Sequence, residues 1–326
     1  MESPMPEAAF LFPGQGSQSV GMVRGLASQP EARKIFQRAG ETLGFDLFEL
    51  CLRGPEEMLV LDFNAQVAVH VTNCAYDAVL KGKQWRPRIA SDFSLGIFSA
   101  LVAAGSLSFD QGLEGVILAA EKMSEEGFKQ RGAMAAVIGL SEQEVREVCR
   151  EFSGAFVASV NTAQQVVISG QEEDVEKAIQ LCLMRGALLV KRLPIGWAIH
   201  TPMMESASRA FAEVTKEWKV RPPEFPVLSY LRGEYLKTPE EILEELTVQY
   251  CRPNYWHKVL LRMIDEGIDT FIEVGPGNAL TQMVRWVNRT ARTITAKEIL
   301  EKGALNAECG IKKCQMTKPK CQINDQ

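Results

Sequence analysis

The stretch 88–105 constrains this chain more than any other. Arg88-Ile89-Ala90-Ser91-Asp92 suits an extended strand, and from Leu95 onward small and apolar residues suit a buried helix. Ser94 falls at the join. A serine on a sharp strand-to-helix turn has its hydroxyl pushed clear of the backbone, and the next amide, that of Leu95, points at whatever the hydroxyl attacks. The N–H groups at the start of the helix favour negative charge developing there. Such a turn needs little bulk two residues either side of the serine. Gly96 meets that need after it, while Asp92 stands where the usual G-x-S-x-G pattern has its first glycine. The competing reading is a capping serine ahead of an ordinary core helix.

Composition narrows the classes. With 326 residues, 46% hydrophobic and 24% charged, the chain suits one large core plus a smaller unit. A net charge of -5 argues against nucleic acid or an anionic membrane as the main partner. No apolar run reaches membrane length. Met1-Glu2-Ser3-Pro4 shows no basic segment before a hydrophobic run, so no secretory signal is expected and the location is expected to be cytoplasmic. Cys51, Cys74, Cys149, Cys182 and Cys251 lie among apolar or helical patterns and read as reduced thiols. Cys309, Cys314 and Cys321 lie in a polar tail; their irregular spacing, with no histidine following, predicts no metal site.

Ala8-Ala9-Phe10-Leu11-Phe12 reads as a strand closed by Pro13-Gly14-Gln15-Gly16. The lysine and hydroxyl residue of a phosphate-binding loop are missing. The turn therefore either displays Gln15 to a site or is a plain connection. Residues 30–84 are helical in pattern, with breaks near Gly44 and Gly54, and His70 within them reads as a packing or surface residue. Ser108 opens a helix to about residue 126. Then the texture changes. A strand at 133–140, a helix after the Ser141–Glu144 capping box, a hairpin of 155–160 with 165–169, a helix at 171–185 and a strand at 186–193 follow in β-α-β-β-α-β order. That order is a ferredoxin-like subdomain, inserted because more elements follow it. They are a helix to about 218, a strand at 227–231, helices at 240–248 and 254–266, and a strand at 269–274 ended by Gly275-Pro276-Gly277-Asn278. His257 in the second of those helices reads as surface or packing. His200 sits between an apolar run and the Thr201-Pro202 helix start, placed either to enter a cleft or to make a structural hydrogen bond. The expected division is 1–130 with 199–300 as the core, 131–198 as the small unit and 301–326 as a polar tail, loosely attached from 303.

Taken together, the motifs resemble a known family. Leu11-Phe12-Pro13-Gly14-Gln15-Gly16-Ser17-Gln18, Phe93-Ser94-Leu95-Gly96, Ala133-Met134-Ala135-Ala136-Val137-Ile138-Gly139-Leu140, Val166-Val167-Ile168-Ser169-Gly170, His200-Thr201-Pro202-Met203-Met204 and Phe271-Ile272-Glu273-Val274-Gly275-Pro276-Gly277 occur in order over about 8–295. The chain looks like the malonyl-CoA:acyl carrier protein transacylases of fatty-acid and polyketide synthesis. The resemblance implies an α/β fold, with an α/β-hydrolase-like core around a short parallel sheet. It also implies acyl transfer from coenzyme A to the pantetheine thiol of a 4'-phosphopantetheinylated acyl carrier protein. Ser94 would be the nucleophile and His200 its base, with a main-chain carbonyl at Gln249 orienting the imidazole and the amides of Gln15 and Leu95 stabilising the oxyanion. Coenzyme A is a substrate carrier in this chemistry, and no resident cofactor is implied.

Four positions depart from the family. Its Gly-His-Ser-Leu-Gly-Glu motif stands here as Asp92-Phe93-Ser94-Leu95-Gly96-Ile97. Asp92 adds a side chain to a crowded turn, Phe93 removes a polar neighbour of the serine, and Ile97 makes that wall apolar. Malonyl-using members carry an arginine in the following helix that pairs with the malonyl carboxylate; alignment on Met123 places Ala119-Ala120 there. Alanine offers no two-pronged clamp. Losing such a partner costs several kcal/mol, so malonyl preference should fall on the order of a thousandfold. Lys122 and Arg285 are the cations left to consider. Phe93, Ile97, Ala119 and Met123 are the expected pocket residues, and a neutral or otherwise unusual acyl group, rather than malonyl, the expected cargo. Two alternatives stay open: a hydrolase that clears acyl thioesters, and a carrier-binding homologue with little chemistry.

Overall fold

Ala8–Phe12 forms β1, buried along its whole length, at the centre of the large sheet. The computed structural model describes residues 7–301, so the cysteines of the polar tail lie outside the described residues. Four helices follow: α1 (Pro30–Leu43), α2 (Leu47–Arg53), α3 (Glu56–Leu59) and α4 (Asp62–Gly82). The breaks fall at Gly44 and Gly54, whose φ angles of +76° and +80° glycine adopts without strain. The strand β2 (Pro87–Asp92) runs parallel to β1 and leads through Ser94 into α5 (Gly96–Ala103). Helix α6 (Phe109–Lys129) opens with a capping box between Ser108 and Gln111.

The small sheet comes next: β3 (Gly132–Ile138), α7 (Glu142–Arg150), β4 (Ala155–Thr162), β5 (Gln165–Gln171), α8 (Glu172–Met184) and β6 (Leu189–Arg192). Its strands are antiparallel in the order β4-β5-β3-β6, the ferredoxin-like arrangement expected. The chain then returns through His200 to α9 (Glu205–Thr215) and to the large sheet with β7 (Val227–Leu228), β8 (Tyr235–Leu236), α10 (Pro239–Val248), α11 (Trp256–Asp265), β9 (Thr270–Glu273), α12 (Ala279–Val287) and β10 (Arg292–Thr295). Its six strands lie in the order β10-β9-β1-β2-β7-β8. All pairs are parallel except β7 with β8, so the expected short parallel sheet carries one antiparallel pair at its edge.

The strand expected at 227–231 stops at Leu228. Ser229 Oγ accepts from the N–H groups of Leu231 and Arg232 and closes a turn that sends the chain back as β8. Helix α12 has no local cap. Its amides at Leu280 and Thr281 donate to the buried Glu273 carboxylate at 3.2 and 2.9 Å, from the end of β9. Among the described residues no helix is long and apolar enough to cross a membrane.

Candidate active site

The parallel pair β1 and β2 ends with two loops in backbone contact. Phe93 N donates to Phe12 O at 2.9 Å. A Cβ on Gly14 would stand 2.3 Å from Phe93 O, and one on Gly96 would stand 2.1 Å from Phe12 O. Both glycines are there because backbone occupies the space a side chain would need. Between them Ser94 takes a φ of +56°, a conformation side chains rarely adopt. The turn forms with Asp92 in place of the usual glycine. Ile97 N then donates to Ser94 O at 3.1 Å and the chain enters α5.

His200, on the segment returning from the small sheet, also has a positive φ, +63°. Its backbone N–H donates to Tyr250 O at 2.7 Å. The ring is buried and edge-on to Tyr230. Nδ1 lies 2.7 Å from Gln249 O and 3.1 Å from Arg252 O. Carbonyls only accept, so Nδ1 carries the proton and Nε2 offers its lone pair. Ser94 Oγ is 2.8 Å from that Nε2 and donates to it. Burial holds the imidazole below its ordinary value, and the two carbonyls offset this in part. A neutral ring is ready to take a proton.

A small cavity opens beside Ser94, lined by Gln15, Gln66, Leu95, Phe98, Met123, Ile199, Gln249 and Tyr250. The N–H groups of Gln15 and Leu95 donate to nothing among the described residues, although the loops around them are otherwise hydrogen-bonded. The Gln15 side chain turns aside and donates to Asp62 Oδ1 at 2.6 Å.

Of the expected site residues, Ser94, His200, Gln249, Gln15, Leu95 and Met123 meet around one cavity. Phe93, Ile97 and Ala119 do not line it. Phe93 packs edge-on against Trp256, and Ile97 and Ala119 are sealed in the core. Ala119 lies one helical turn before Met123 on α6, buried and outside the cavity lining. Neither remaining cation reaches it: Lys122 pairs with Glu125 at 2.7 Å, and Arg285 donates to Thr293 Oγ1 at 2.5 Å. Gln66, Phe98, Ile199 and Tyr250 were not singled out from the sequence. The spacing of Asp62 and Gln66, four apart on α4, is a local signal for Gln66 alone; Phe98, Ile199 and Tyr250 come to the cavity by non-local packing.

Asp92 is fully buried and neither of its carboxyl oxygens finds a partner among the described residues. Burial, then repulsion from Glu245, pushes its carboxyl well above the usual carboxylate range, which disfavours a charge at the elbow. His70 is a packing residue, fully buried with Nδ1 3.0 Å from Ser99 Oγ.

A family model described as "Acyl transferase domain" matches residues 9–308. The chain belongs to that acyltransferase family. Among the relatives of this acyltransferase is the malonyl CoA-acyl carrier protein transacylase of Bacillus subtilis, 35% identical over 90% of this chain and 94% of that protein. The transacylase of Coxiella burnetii superposes with a TM-score of 0.88 at 30% identity, over 92% of this chain and 97% of that one. A malonyl-transacylase solved in complex with its type II polyketide-synthase acyl-carrier protein gives a TM-score of 0.86 at 31% identity, over 89% and 95%. The likeness spans both sheets and the loops that carry Ser94 and His200.

Proposed function

We propose that this acyltransferase moves a neutral acyl group from coenzyme A to the pantetheine thiol of an acyl carrier protein, through an acyl-Ser94 intermediate. The observation that carries the reading is the aligned run from Ser94 Oγ through His200 to Gln249 O, beside two undirected backbone amides. Ser94 Oγ attacks the thioester carbon as its proton passes to His200 Nε2. The oxyanion takes hydrogen bonds from Leu95 and Gln15 N–H, each worth roughly 3 kcal/mol in the transition state. Collapse expels the coenzyme A thiolate, which takes the proton back from Nε2. The pantetheine thiol then gives its proton to Nε2 and attacks the ester carbon. Ser94 leaves and recovers the proton. Gln249 O and Arg252 O stabilise the imidazolium that exists between these transfers. A neutral cargo follows from the cavity's lining, which among the described residues includes no Lys or Arg, and from its walls of Leu95, Phe98, Met123 and Ile199.

Intact mass after mixing with acetyl-, malonyl- and longer acyl-CoA donors tests the reading. It expects an adduct lost in Ser94→Ala and favoured by neutral donors. Holo carrier protein should then remove the adduct as acyl-carrier. Release as free acid would mark a hydrolase, no adduct with any donor would leave only carrier binding, and a strong malonyl preference would refute the neutral cargo.

A further inference from the structure

We propose that Asp62 sets the charge preference of the acyl cavity, turning away donors whose acyl group carries a carboxylate. The inference rests on the reading that this cavity receives the acyl group. Asp62 lies at the first turn of α4, behind the two amides that form one side of the cavity. Gln15 Nε2 donates to its Oδ1 at 2.6 Å and Gln66 Nε2 to its Oδ2 at 2.9 Å. A carboxylate only accepts, so both amides must turn their NH2 groups toward it and their carbonyl oxygens away. Those oxygens accept nothing among the described residues. No Lys or Arg within ion-pair distance of Asp62 exists among the described residues, and the site is partly buried, so the negative charge is neither paired nor fully screened.

An acyl carboxylate entering the cavity would therefore meet carbonyl oxygens with an unpaired like charge behind them. A methyl or alkyl end carries no charge to be repelled and can pack on Leu95, Phe98, Met123 and Ile199 in the same cavity. Where the missing arginine removes an attraction, Asp62 adds a repulsion, and specificity commonly needs both. Two like charges separated by one amide side chain repel enough for a discrimination of about tenfold or more.

The test reads binding, so it needs no turnover. In the full chain carrying Ser94→Ala, calorimetry with acetyl-CoA and malonyl-CoA should show malonyl-CoA weaker by about tenfold or more, with the gap narrowing as salt is raised. Asp62→Asn in the same background should shift the malonyl-to-acetyl affinity ratio by about tenfold toward malonyl, and Asp62→Glu should preserve the original ratio. A ratio unchanged by Asp62→Asn, equal binding of both donors, or no binding of either overturns the inference. Failure of the acyl-serine reading shows separately, as a missing adduct by mass in the protein with Ser94 intact.

Discussion

In the proposed mechanism His200 must be neutral to accept the serine proton, and it is protonated below its pKa. Because burial lowers that pKa, the acid limb of the acylation rate should lie below about pH 6.5, with full activity retained at neutral pH. A pH profile of adduct formation checks this; a limb well above 6.5 would mean the base is another group. The buried acids act on stability instead. Glu245 accepts from Ser229 Oγ at 2.5 Å, yet burial pushes its carboxyl up to about 7, with Asp92 raised nearby. The folded chain thus holds a proton that the unfolded chain releases near pH 4, so stability falls as pH rises from about 4 to 7. Glu245→Gln should stabilise the protein at pH 8 by on the order of 3 kcal/mol, an advantage that vanishes near pH 4. Urea unfolding at the two pH values reads it directly.

At the scale of elements, the site depends on how closely two turns approach. Gly96→Ala would force a Cβ to within 2.1 Å of Phe12 O, so backbone must shift. The expected cost is about 1–3 kcal/mol with a large loss of acylation, measured by denaturant melts and adduct rate. Asn73 on α4 ties the same region together, donating to Pro13 O at 2.9 Å and Ser99 Oγ at 3.2 Å. Asn73→Ala should cost about 1–3 kcal/mol and slow acylation by loosening the loop that carries Gln15; unchanged kinetics would show the loop is held by other contacts. The sequence made some of this readable. The elbow at 88–105, the hairpin of β4 and β5 and the capping boxes at Ser108 and Ser141 are written in consecutive residues, and they stand where local chemistry put them. The links that escaped are non-local. Asp62 meets Gln15 across 47 positions, α12 is capped from the preceding strand, and β7 is cut short by a side chain outside it. Ala119, expected in the pocket from the resemblance alone, is buried in the core and does not line the cavity.

Across the whole molecule, the cavity lies where the chain crosses between the two sheets. Met123 stands on the helix leading into the small sheet, and Ile199 and His200 on the segment leading out. The crossing is pinned: Gly132 N donates to Gly196 O at 3.0 Å, while Asn254 N donates to Ala158 O at 2.9 Å and Val160 N to Asn254 O at 2.8 Å. With these bonds beside the site, residues 132–192 should unfold together with the large sheet in a single transition. Hydrogen exchange of β5 amides against β1 amides tests this; earlier exchange of β5 would show a separate unit. The imidazole has a further peculiarity, since what steers it is main chain. Any amino acid inherited at position 249 still carries a peptide C=O. Lineages can therefore drift at that position, within what Tyr230 and Tyr250 tolerate beside it, while the roles proposed for Ser94 and His200 leave positions 94 and 200 no such freedom.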